Sequence, residues 1–98
     1  MTERLALLAQ LEAKPGTGER LAAVLESARA LAAAEIGTVS WYAFRISDTR
    51  FGIFDTFETD EGRQAHLDGE IPAALSQVAA DLLAAPPDIQ PVEIIAVK

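Results

Sequence analysis

At 98 residues the chain reads as a single domain over residues 1–98, short enough to bury only roughly 60–65% of the surface that its unfolded form exposes. The absence of cysteine excludes disulfides and thiolate metal sites as supports for that core, and 15 acidic against 8 basic side chains give a net charge of −7, which repels phosphate backbones and argues against nucleic-acid binding. The composition is globular, half hydrophobic and 23% charged; no apolar run approaches the roughly 20 residues of a bilayer span and Met1-Thr2-Glu3-Arg4 does not open like a secretory leader, so a cytoplasmic protein without membrane contact is expected.

Leu5 to Ala13 is apolar apart from Gln10 and Glu12, and Lys14-Pro15-Gly16 stops it at a length that suits a strand. A long helix follows over Thr17 to Glu35, because Leu21, Val24, Leu25, Ala28, Leu31 and Ala32 recur at helical spacing. Gly37 closes it. A hairpin spans Thr38 to Glu58, and a short helix starts at Thr59 or Asp60, whose side-chain oxygens can cap free amides, and ends near Gly69. Another helix carries Ile71, Leu75, Val78, Ala79 and Leu82 as its stripe, with Pro72 in its first turn and Ala85-Pro86-Pro87-Asp88 as its stop. Pro91 to Lys98 reads as the last, β-branched strand. The order β-α-β-β-α-β, with its second helical segment split, is the ferredoxin-like α+β pattern: a four-stranded antiparallel sheet with helices on one face.

The hairpin holds all six aromatic residues, between Trp41 and Phe57. With the turn Ser47-Asp48-Thr49-Arg50 centred between Asp48 and Thr49, Ile46 lies opposite Phe51, Phe44 opposite Ile53, and Tyr42 opposite Asp55. One face then carries Ser40, Tyr42, Phe44, Ile46, Phe51, Ile53, Asp55 and Phe57, and the other Val39, Trp41, Ala43, Phe54 and Thr56. Both faces are apolar, whereas a half-exposed hairpin alternates apolar with polar. The helices of so small a chain cover one face, so the second is expected to be covered by a sister subunit.

Two residues stand out as chemistry. His66 is the one histidine, the default group for proton transfer near neutral pH; the bland alternative is a partly exposed helix residue without a task. Asp55 lies between Phe54 and Phe57 on a strand expected to be buried, where a carboxylate needs partners or becomes neutral. Either it serves a pocket, or the Tyr42 hydroxyl or backbone amides hold it to fix the hairpin. Gln10 would be a further buried polar group if it faced inward, and Arg45 is expected to be solvated or paired with a surface acid. The chain has no Gly-rich phosphate loop, no Ser-His-Asp set and no His or Cys pair at metal spacing.

The stretch Phe51-Gly52-Ile53-Phe54-Asp55-Thr56-Phe57-Glu58-Thr59-Asp60-Glu61-Gly62-Arg63-Gln64-Ala65-His66-Leu67 resembles the signature of the antibiotic biosynthesis monooxygenase (ABM) family. That signature is an aromatic strand with an embedded carboxylate, an acidic helix start and an Ala-His step. The family more often has glutamate where this chain has Asp55, and Pro-Gly where it has Ile36-Gly37-Thr38. The resemblance implies a dimeric α+β barrel, two ferredoxin-like sheets packed face to face, with a pocket between sheet and helices in each subunit. It further implies oxidation of a small apolar aromatic or enolisable molecule by molecular oxygen, with no cofactor and no metal. His66 would then be the base or the anion-stabilising donor, Asp55 would orient or tune it, Tyr42 would hydrogen-bond the substrate oxygen, and Trp41, Phe44 and Phe57 would line the wall. The rivals on the same fold are a non-catalytic ligand carrier, a purely structural or interaction domain, and a haem-degrading enzyme; the last is the weakest because no propionate-binding cluster is visible.

Overall fold

The computed structural model describes residues 3–98; Met1 and Thr2, on which the reading of the N-terminus partly rests, lie outside the described residues. The elements are β1 (Leu5–Glu12), α1 (Gly18–Ala34), β2 (Thr38–Arg45), β3 (Arg50–Phe57), α2 (Asp60–Leu67), α3 (Glu70–Leu82) and β4 (Asp88–Glu93). One sheet has the order β2-β3-β1-β4 with every neighbouring pair antiparallel, which is the ferredoxin-like arrangement. No helix among the described residues is long and apolar enough to cross a membrane.

The core forms where the stripe of α1 (Leu21, Leu25, Ala28, Ala32) and that of α3 (Ile71, Leu75) meet Leu11, Phe51 and Ile53 of the central strands. The helix boundaries follow local chemistry. The Thr59 hydroxyl accepts the Gly62 amide at 3.0 Å and starts α2. Thr17, by contrast, gives α1 no side-chain cap; its hydroxyl bonds the Leu82 carbonyl at 2.9 Å and ties the start of α1 to the end of α3.

β4 begins at Asp88 and ends at Glu93, displaced from the Pro91–Lys98 span expected from its β-branched residues. The reason is its partner: β1 offers pairing from Gln10 opposite Asp88 to Leu5 opposite Glu93. Beyond that the Ile94 amide reaches the Arg4 carbonyl at 2.8 Å. Pro91 is tolerated because β4 is an edge strand.

The hairpin register differs by one residue from the expected one. Trp41 pairs with Asp55, Tyr42 with Phe54, Phe44 with Gly52 and Arg45 with Phe51, and a bulge sits between Thr38 and Ser40. A two-residue tip needs positive φ, and the one residue with positive φ among those described is Gly16. The chain instead makes a longer tip in which the Ile46 amide bonds the Arg50 carbonyl at 2.8 Å and the Ser47 hydroxyl accepts the Arg50 amide at 3.1 Å. The Arg45 guanidinium braces it on the Ser47 and Asp48 carbonyls at 3.0 and 3.1 Å. The alternation expected for β3 stands, but β2 moves over by one. Trp41 thus joins Phe51, Ile53, Asp55 and Phe57 on the helix-covered face, while Tyr42 and Phe44 lie with Phe54 on the open face.

On that open face the Phe44 ring lies against Gly52, where a Cβ would clash with it. Leu8 and Gln10 share the face, opposite Phe54 and Gly52; Gln10 is exposed and does not point into the core. Tyr42 keeps 61% of its surface exposed in the single chain.

Candidate functional site

Asp55, at the C-terminal end of β3, is 1% exposed, and His66, one helix later, is 7% exposed. The chain turns directly from β3 into α2, so the last turn of that helix sets its imidazole back over the strand it has just left. His66 Nε2 stands 2.9 Å from Asp55 Oδ2, and Nδ1 stands 2.7 Å from Glu35 Oε1. The Thr38 hydroxyl donates to the same Glu35 oxygen at 2.6 Å. Phe57 packs its ring against the imidazole at a centroid distance of 5.4 Å.

Glu35 reaches this site because of two glycines. The turn after α1 touches α2 at Gly37 and Gly62, so closely that a Cβ on Gly37 would come within 2.8 Å of the Gly62 Cα. That approach lays the C-terminal end of α1 against α2, and the Glu35 carboxylate against His66.

A neutral imidazole has one N–H and one lone pair, so it can satisfy only one of two flanking carboxylates. Doubly protonated, it donates to both. Burial alone lowers the pKa of His66, but the hydrogen bonds and charges of Asp55 and Glu35 outweigh it, and the net shift is upward. The position of His66 in the last turn of α2 acts in the same direction, since a helix C-terminus favours a cation. The geometry and the upward shift thus both favour the doubly protonated ring, which donates to Asp55 and Glu35 and has no free lone pair. The two carboxylates face opposite nitrogens and do not converge on one point; among the described residues no group of three or more His, Cys, Asp and Glu side chains is disposed to hold a metal ion.

Two buried side-chain polar atoms among the described residues have no hydrogen-bond partner: Asp55 Oδ1 and Trp41 Nε1. They belong to directly opposed residues of β3 and β2. Trp41 also borders two clefts between α1 and β2. The larger, about 420 Å³, has an apolar wall including Leu25, Trp41 and Phe51 and a charged rim of Glu26, Arg29 and Arg45. The smaller, about 270 Å³, runs on past Ala32, Thr38 and Ser40. Arg29 and Trp41 line both.

The residues singled out in the sequence thus separate. His66, Asp55 and Phe57 come together, but Phe57 is fully buried against the imidazole and lines neither cleft. Trp41 joins Asp55 to the clefts. Tyr42 and Phe44 border the larger cleft from the edge strand, yet the shifted register turns Tyr42 away from Asp55, and the partner of that aspartate is His66. Arg45 pairs with Glu19 at 2.7 Å and lies 5.0 Å from the centre of the Phe51 ring. Sequence reasoning missed Glu35. The available signal was a carboxylate at the C-terminal end of a helix, where the dipole disfavours it and a compensating cation is needed.

No protein-family model and no curated protein matches the chain. Among solved structures, the NE2512 protein of unknown function from Nitrosomonas europaea is 50% identical with a TM-score of 0.96, the alignment covering 99% of this chain and 94% of that one. The PA3566 protein from Pseudomonas aeruginosa is 24% identical with a TM-score of 0.82, covering 98% of each chain. A "putative antibiotic biosynthesis monooxygenase" from Nitrosomonas europaea is 15% identical with a TM-score of 0.83, covering 94% of this chain and 99% of that one. The last two likenesses carry the fold alone.

Proposed function

We propose, for a chain that belongs to one family with the NE2512 protein and shares the fold of the ABM-named structures, that it acts as a cofactor-independent monooxygenase-like protein on a small, apolar, aromatic or enolisable molecule. The observation that carries the reading is the buried carboxylate–imidazolium–carboxylate network set behind an apolar cleft of ligand size. Structural packing alone has little use for such a network, because well-packed apolar residues are often as stable or more so.

The roles differ from those the resemblance implies. His66 has both nitrogens engaged and is a poor base. Asp55 keeps Oδ1 free of hydrogen bonds and takes the substrate proton, while the His66 ring holds its other oxygen in place. Trp41 takes the place assigned to Tyr42 as the hydrogen-bond donor to the substrate. The substrate anion then reduces dioxygen; when a methylene becomes a carbonyl, one oxygen atom enters the substrate and the other leaves as water. Tyr42, Phe44, Phe54 and Leu8 on the open sheet face belong, in this reading, to the interface of a homodimer.

The test is oxygen consumption by the purified protein over a panel of enolisable aryl ketones and hydroquinones. Asp55→Asn is expected to slow an active pairing by about tenfold or more, and unchanged turnover would remove the assignment. A ligand carrier on the same fold is the second reading, favoured by the fact that neither Asp55 nor His66 itself lines a cleft. It predicts ligand binding that is indifferent to Asp55→Asn, and no oxygen uptake.

A further inference from the structure

The groove between α1 and β2 contains hydrogen-bond donors without acceptors. Arg45, at its rim, is neutralised by Glu19 at 2.7 Å, and the other ion-paired arginines, Arg50 and Arg63, pair with Glu12 and Asp60. Arg29, which borders both clefts, has no ion-pair or hydrogen-bond partner among the described residues. The Trp41 indole N–H, buried on the wall shared by the same two clefts, has none either. A buried N–H without an acceptor has lost its water and gained nothing in return, so the groove is poised for an acceptor.

We infer that this groove binds a planar aromatic carboxylate, its rings against Trp41, Phe51 and Leu25 and its carboxylate between the Arg29 guanidinium and the Trp41 indole N–H. The reasoning is one of complementarity. Guanidinium and indole are pure donors, a carboxylate is a pure acceptor with two oxygens, and the planar fork of arginine matches it in shape. A neutral hydrocarbon would leave both donors unmet. A cation would meet Arg29 with like charge, although Glu26 one turn earlier on the cleft wall would attract it. In a chain of net charge −7 an anion is not drawn in by the overall field, so its recognition falls to Arg29 locally. The inference takes this groove to be the ligand site, as the proposed function does, but needs no oxidation to occur.

The experiment exploits the single tryptophan, which supplies one indole N–H resonance. The full-length protein is titrated in oxygen-free buffer with β-naphthoate and, separately, with the uncharged β-naphthamide. Naphthoate is expected to shift the Trp41 resonance saturably and to bind roughly tenfold or more tighter than naphthamide. Arg29→Met, a change at an exposed position, should abolish that preference by weakening naphthoate far more than naphthamide, and Glu26→Gln should tighten naphthoate. Equal affinity for the two probes, naphthoate binding unaffected by Arg29→Met, or no shift of the indole resonance with either probe would overturn the inference. Selective naphthoate binding in a protein that consumes no oxygen would overturn the proposed oxidation and leave the groove assignment standing; oxidation of neutral and anionic substrates at equal rates would do the reverse.

Discussion

Replacing His66 by leucine keeps an apolar group beside Phe57 and removes the cation between Asp55 and Glu35. Asp55 is 1% exposed and its other oxygen already lacks a partner, so the substitution strands a buried carboxylate. Glu35 is better placed, since its side chain is 21% exposed and keeps the Thr38 hydroxyl. The loss is therefore that of one broken buried ion pair, about 3–5 kcal/mol. For a domain of this size it lowers the thermal midpoint by roughly 12 °C or more. Urea unfolding followed by Trp41 fluorescence measures it. A second variant, Asp55→Leu with His66→Leu, removes the stranded charge and should recover most of the loss. A deficit below about 1 kcal/mol, or one that the double variant fails to recover, would refute the reasoning.

Wild-type stability should itself depend on pH through His66. Its folded pKa is raised, so the contribution of the protonated ring is complete below about 6.5, the ordinary unfolded value, and is lost as pH rises through the folded value; denaturation midpoints that rise across that window would contradict this. Gly37→Ala forces its Cβ against the Gly62 Cα at 2.8 Å, and should cost about 1–3 kcal/mol while lowering the His66 titration midpoint, because Glu35 moves with the displaced turn. Tyr42→Asp, on the open face and 61% exposed in the single chain, should leave the fold intact and convert the proposed dimer to monomer in sedimentation velocity; a wild-type protein that sediments as a monomer would remove the barrel.

The element order was legible because each segment carries its own period and its own stop: Lys14-Pro15-Gly16 after β1, Gly37 after α1, Pro86-Pro87 after α3. Asp55 and His66 were legible as a pair of suspects because each is out of place locally, a carboxylate in an aromatic strand and a lone histidine near a helix end. Their contact follows from the direct turn of β3 into α2. The register of β2 was not legible, since the tip from Ser47 to Arg50 lacks the glycine that would specify a two-residue turn, and the Arg45 and Ser47 bonds that set its length are tertiary. That single shift exchanged Tyr42 for Trp41 opposite Asp55. Glu35 was hidden for a similar reason: it meets His66 only because Gly37 and Gly62 let two backbones touch, a contact between segments with no local signature.

The most direct test is a long-range nitrogen–proton NMR spectrum of the single histidine at neutral pH, followed through a titration. An imidazolium held by Asp55 and Glu35 gives two ring nitrogens with the shifts of protonated donors, and a midpoint above about 6.5. One protonated and one bare nitrogen at pH 7, with a midpoint below that value, would show that the carboxylates do not hold the proton, and would return His66 to the role of a free base.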